Sequence, residues 1–143
     1  MLLVVGLAVG LRYRLSESET LVSEPLSLMP VPEVTSEIKP DAGPVMVSIE
    51  YEIDPATATD FRHAMNALRT IRYRDGAVFW GLFSDVAKPS RYVEYFMVES
   101  WSEHLRQHSR VTDEDQPALE RARRFHIRPS PPIVSHQVAA TGP

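Results

Sequence analysis

From Val45 onward the chain alternates. Val45, Val47, Ile49, Tyr51 and Ile53 are spaced by Met46, Ser48, Glu50 and Glu52, the period of two that predicts a strand with one buried face. Asp54-Pro55 ends it and opens a helix, because an aspartate can cap free amides and a proline at the first helical position loses no hydrogen bond. Ala58, Phe61, Ala64, Met65, Leu68 and Ile71 then recur at spacings of three and four, with Arg62, His63, Asn66, Arg69 and Thr70 on the other face. Glycine tolerates the left-handed cap, so this helix is expected to end near Asp75-Gly76. VFWGLFS (78–84) and YVEYFMVESW (92–101) are the next strands, joined by a turn over Lys88-Pro89-Ser90. Ser102 to Arg110 is predicted as a short helix capped by Ser102, and Thr112 opens another through the capping-box spacing to Asp115. Ile133 to Val138 makes a last short strand.

The order strand, helix, strand, strand, helices, strand is that of a split βαβ unit, so the fold class is α+β: a ferredoxin-like domain with one antiparallel four-stranded sheet. The two middle strands are apolar on both faces, with Phe79 and Phe83 opposing Val78, Trp80 and Leu82, and Tyr95, Met97 and Trp101 opposing Tyr92, Phe96 and Val98. One helical layer covers only one face. The other must meet a second sheet, a partner chain or a ligand cavity.

The flanks differ in kind. LLVVGLAVGL (2–11), ended by Arg12-Tyr13-Arg14, is about half the roughly 20 residues needed to span a bilayer, and its charges follow the apolar run as at the cytoplasmic end of a membrane helix. The expectation is a chain that begins partway through such a helix (1–15), followed by a proline-rich acidic tether (16–44), the folded domain (45–138) and a frayed tail (139–143). The formal net charge of −4 is carried by the tether, where six acids face only Lys39; residues 45–143 hold 12 basic and 13 acidic groups. Without a basic excess, phosphate-driven nucleic-acid binding is not expected. The absence of cysteine excludes disulfides, thiolate metal sites and a thiol nucleophile.

GPVMVSIEYEIDP (43–55), RDGAVFWGLFSD (74–85), RYVEYFMVESWSEHLRQHSRVT (91–112) and PPIVSH (131–136) together resemble the soluble C-terminal domain of bacterial major facilitator superfamily permeases of the transmembrane secretion effector group, relatives of the enterobactin exporter. LLVVGLAVGLRYRL (2–15) is similar to the end of the last membrane helix of that group. The tail in turn resembles the antibiotic-biosynthesis-monooxygenase type of dimeric α+β barrel, in which two sheets pack face to face. The resemblance implies a homodimer, attachment to the membrane through the N-terminal segment, and a place on the cytoplasmic side of the inner membrane, or in the cytoplasm for an isolated fragment. It also implies that this chain, lacking the eleven or more other membrane helices, does not transport alone.

Three functions compete. The first is a non-catalytic dimerisation or accessory domain of a small-molecule exporter, its inter-sheet space filled by Phe79, Phe83, Tyr95, Met97 and Trp101. The second is a small cofactor-independent or haem-handling monooxygenase, for which Trp101 and His108 match the tryptophan and histidine near the sheet-to-helix junction of such relatives; Glu99, on the strand face of Tyr95 and Met97, is either an inter-subunit ion-pair partner or, in this second reading, a pocket acid. The third is a ligand-sensing domain regulating the transporter; it and the second admit a small-molecule ligand. No cofactor is expected for the first. His104 and His108 have the i, i+4 spacing of a metal pair, but no third ligand follows, so they are expected on the helix surface and no metal site is assigned. Arg62, Arg69, Arg121, Arg123 and Arg124 are expected to be solvated, with anionic headgroups as an alternative partner.

Overall fold

The alternation that begins at Val45 becomes β1 (Val45–Glu52), the strand on which the sheet is centred. A computed structural model describes residues 37–141; the expectations for residues 1–15 and for most of the tether lie outside them. Among the described residues no helix is long and apolar enough to cross a membrane.

After β1, Asp54 accepts a hydrogen bond from the Ala56 amide at 2.9 Å and starts a single 3-10 turn, Pro55–Thr57, that runs into α1 (Ala58–Arg74). Asp75 and Gly76 end α1 where the glycine was expected to: Gly76 takes φ +115°, and the Gly76 and Ala77 amides fold back onto the carbonyls of Tyr73 and Arg72. β2 (Phe79–Ser84) and β3 (Arg91–Val98) form a hairpin, α2 (Trp101–Arg110) and α3 (Gln116–Arg124) follow, and β4 (Ile133–Val138) closes the chain. The sheet order is β2-β3-β1-β4 with every pair antiparallel, the ferredoxin-like arrangement.

Register decides what each strand buries. Val45, Val47, Ile49 and Tyr51 lie opposite Val98, Phe96, Glu94 and Tyr92 of β3, and this face packs beneath the helices with Phe61, Met65 and Leu68 of α1. Phe61 is the aromatic hub, with ring centroids 5.2 Å from Tyr51, 5.4 Å from Tyr92 and 5.9 Å from Phe125.

Within that core sits a fully buried carboxylate. Glu94 accepts hydrogen bonds from Arg72 Nε at 2.9 Å and Trp80 Nε1 at 3.0 Å on one oxygen, and from Arg72 Nη2 at 3.4 Å and Tyr51 OH at 3.5 Å on the other. Arg72 is itself buried, its guanidinium 4.6 Å above the Phe96 ring. Burial opposes the guanidinium charge, but Glu94 more than offsets it; burial and then the Glu94 charge hold the Tyr51 hydroxyl protonated well above its usual range.

Three local features differ from the pattern in the sequence, and each has its own hydrogen bonds as the reason. β3 stops at Val98, and Ser100, in extended conformation, caps α2 by accepting from Glu103 N–H, so the helix starts at Trp101 and not after Ser102. Asp115 accepts from the amide and hydroxyl of Thr112 and from both ends of the Arg74 guanidinium, which makes a turn of residues 112–115 and delays α3 to Gln116. The expected tether is bonded at its end: the Trp101 and Ser102 amides donate to the carbonyls of Ala42 and Pro40, and a Cβ at Gly43 would overlap the Glu99 carbonyl oxygen.

Removing one partner of a buried ion pair leaves an uncompensated charge, whereas replacing both by apolar groups can be neutral. Glu94→Gln is therefore expected to destabilise the fold by about 3–5 kcal/mol in urea unfolding, and the double change Arg72→Met/Glu94→Leu to recover most of it. Equal losses for the two variants would show that the ion pair itself holds the core.

Candidate functional site: an open sheet face and a buried histidine cluster

The sheet has one covered face and one open face. On the open face Met46, Ser48, Glu50 and Glu52 of β1 lie across from Met97, Tyr95, Val93 and Arg91 of β3, which in turn lie beside Phe79, Gly81 and Phe83 of β2. Phe79 is 40% exposed, Phe83 52% and, at the β4 edge, Ile133 62%. Phe83 stands edge-on to Tyr95 with centroids 5.7 Å apart. The face is graded: Phe79, Met97 and Met46 make an apolar end, Ser48 and Tyr95 a mixed centre, and at the far end Arg91 bonds Glu50, with Nε to Oε1 at 2.7 Å, and Asp85 at 3.0 Å. Four of the five proposed interface residues, Phe79, Phe83, Tyr95 and Met97, thus share one surface.

Trp101 does not join them. Because β3 ends at Val98, the alternation cannot be carried on to residue 101; Trp101 is the first residue of α2 and is buried on the helical side. The same break turns Glu99 out to solvent, so the buried acid of this hairpin is Glu94 and not Glu99.

Where α2 meets the sheet, the usual division of side chains is inverted. The helix buries Trp101, His104 and Gln107 and leaves Leu105 46% exposed. His104, with 0% exposure, lies 4.8 Å centroid to centroid from both His108 and His136 of β4 and 5.4 Å from Trp101. His104 and His108 face each other with Nε2 atoms 3.2 Å apart, which fits a single shared proton and excludes both nitrogens carrying one. The expectation of surface histidines is overturned for His104, and His108 is half-buried beside it. Among the described residues, His104 Nδ1, His136 Nε2 and both polar atoms of the Gln107 amide are buried without a well-formed hydrogen bond, although Gln107 lies near enough to His104 to act on its charge, an arrangement that costs stability. No set of three or more histidines and carboxylates among the described residues converges as for a metal ion. Periodicity could not have found this cluster, because His136 arrives from β4, 32 positions after His104.

Burial and mutual repulsion both oppose charge on the cluster. Burial, then the neighbouring His108 and His136, push His104 down to about 4 from 6.5; burial and Arg72 lower His108, and burial and His108 lower His136.

Taken together, sheet order and helical layer define a ferredoxin-like α+β domain. Solved structures agree on the fold: a protein assigned as an antibiotic biosynthesis monooxygenase from Bordetella bronchiseptica (18% identity, 69% of this chain and 99% of that chain, TM-score 0.57), one from Caulobacter crescentus (16%, 71% and 94%, 0.58), and a point mutant of SnoaB, a cofactor-independent oxygenase from Streptomyces nogalater (15%, 68% and 91%, 0.51). The family described as transmembrane secretion effectors matches residues 1–143, and the chain belongs to that family. No curated protein matches it.

A histidine whose folded pKa lies below its unfolded value stabilises fully above the unfolded pKa and loses that contribution as the pH falls. The midpoint of thermal unfolding is expected to hold steady down to about pH 6.5 and to fall between there and about pH 4, and His104→Leu to flatten that slope; an unchanged slope in the variant would exclude His104 as its source.

Proposed function

We propose that this chain contains the cytoplasmic accessory domain of a major facilitator superfamily small-molecule exporter, and that the domain pairs with a second copy through its open sheet face and performs no chemistry itself. The observation that carries the proposal is the row of Phe79, Phe83, Tyr95 and Met97 on a face that no element of the described chain covers. Monomeric proteins rarely leave such a patch uncovered, and two antiparallel sheets about 10 Å apart bury each other's inner faces. The paired Arg91, Glu50 and Asp85 at one end suit the polar rim of such an interface. Family membership supports the link to export, and the fold shared with the monooxygenase-type proteins supports the barrel-forming dimer. In this reading residues 1–15 are the end of a membrane helix and residues 16–44 join it to the domain on the cytoplasmic side of the inner membrane. Transport is the work of the whole permease.

Sedimentation of the full chain in a mild detergent should give twice the mass of one chain, and Phe79→Asp/Phe83→Asp should give the single mass with an unchanged circular dichroism spectrum. A wild-type chain that stays monomeric at high concentration contradicts the proposal.

A second reading, in which the domain senses or oxygenates a small molecule, draws on the unpartnered buried atoms of His104, Gln107 and His136 beside Trp101. It requires haemin or a polycyclic quinol to bind the full chain, with loss of binding in His104→Leu/His108→Leu; neither binding nor turnover removes it.

A further inference from the structure

At the end of the sheet remote from the chain's entry into β1, the segment that joins α3 to β4 folds back over the β1 terminus. The Ile127 amide donates to the Glu52 carbonyl at 2.9 Å, and Ile53 and His126 form an isolated bridge. The His126 ring braces this crossing. Its Nδ1 accepts from the Glu52 amide at 3.0 Å, so its proton is on Nε2, which donates to the Ser130 carbonyl at 2.8 Å. Pro129, Pro131 and Pro132 limit the backbone on the far side.

Between brace and prolines lies an open groove of about 350 Å³ lined by Arg123, Arg128, His126 and Ser130 with the three prolines. That volume suits a small charged group and its first neighbours more than a large apolar ligand. Among the described residues no carboxylate lines it. Glu52, which feels the Arg128 charge, accepts from Ser90 at 2.8 Å and pairs with Lys88 at 3.3 Å, and Glu120 pairs with Arg124 at 3.8 Å. Among the described residues neither Arg123 nor Arg128 has a carboxylate within ion-pair distance, while most other arginines of α1, α2 and β3 are paired or stacked. Guanidinium groups present donors in a planar fork matched to carboxylate and phosphate oxygens.

We propose that this groove is an oxyanion-binding site in which Arg123 and Arg128 grip a phosphate or carboxylate group. The His126 brace holds the loop that carries Arg128 against the β1 end, and the Ser130 hydroxyl is the remaining side-chain donor of the groove. The group comes either from a small soluble organic anion or from the headgroup of an anionic lipid, and both use the same two forks. The site is independent of the open sheet face, so its failure leaves the dimer proposal untouched.

The test uses the full chain in mild detergent, inorganic phosphate and glycerol phosphate as soluble probes, and vesicles of phosphatidylglycerol in phosphatidylcholine against phosphatidylcholine alone. Arg123→Ala/Arg128→Ala is compared with Arg62→Ala/Arg69→Ala, which removes the same charge from the exposed face of α1. All four side chains are exposed, so both variants are expected to fold. Soluble phosphate should shift the amide resonances of residues 123–130, with affinity reduced about tenfold or more in the groove variant and unchanged in the α1 variant. Groove-dependent binding to phosphatidylglycerol vesicles without a response to the soluble probes would identify the headgroup as the source. Equal losses in the two variants, or no response to either probe, would overturn the proposal, since charge alone or nothing would then be responsible.

Discussion

The whole domain turns on one carboxylate. Glu94 is buried beneath α1, and a buried charge is tolerated only when paired and hydrogen-bonded, as here by Arg72, Trp80 and Tyr51. β3 is apolar on both sides, so hydrophobicity alone does not choose its inner face. Turning the strand over would take Glu94 away from Arg72 and leave two charges to be resolved separately. The ion pair thus selects Tyr92, Phe96 and Val98 for the core and presents Tyr95 and Met97 outward with Phe79 and Phe83 of β2. The surface proposed for self-association is in this sense a consequence of a bond made on the opposite face.

The second helical region follows a different logic. α2 covers its part of the sheet with a tryptophan, two histidines and a glutamine, and its leucine faces out. Aliphatic side chains would pack this space more cheaply, so the choice of polar groups marks a place where stability has been given up. The Trp101 and Ser102 amides at the start of α2 are satisfied by the carbonyls of Ala42 and Pro40, which places the lead-in to the domain directly against the helix that carries the cluster. Protonation there is opposed first by burial, and then by the neighbouring histidines and the positive charge of Arg72.

Much of this was legible from residue patterns, and the exceptions have physical reasons. β1, α1 and β4 were readable because one face of each is buried and the period shows it; the Asp54-Pro55 start and the Gly76 stop were readable because cap chemistry is local. The β3 boundary was misplaced because Ser100, which ends the strand, sits among residues that continue an apparent alternation; Ser100 and Glu103 carry the capping-box spacing that could have shown it. The same break takes Glu99 and Trp101 out of the β3 alternation. The Glu94 network and the histidine cluster were not legible, since each joins elements distant in sequence. The ferredoxin-like class, by contrast, needed only the order of elements.

The chain contains no cysteine, so one introduced at Met46, half-buried on the open face, would carry a unique spin label. Dipolar coupling between labels on the full chain then measures the central claim directly. Face-to-face sheets predict a single short separation, on the order of 10–20 Å, while a label at Arg69 on the outer side of α1 reports a much longer one. No coupling from Met46, or a shorter distance from Arg69 than from Met46, would contradict the assignment of the sheet face as the surface through which two copies meet.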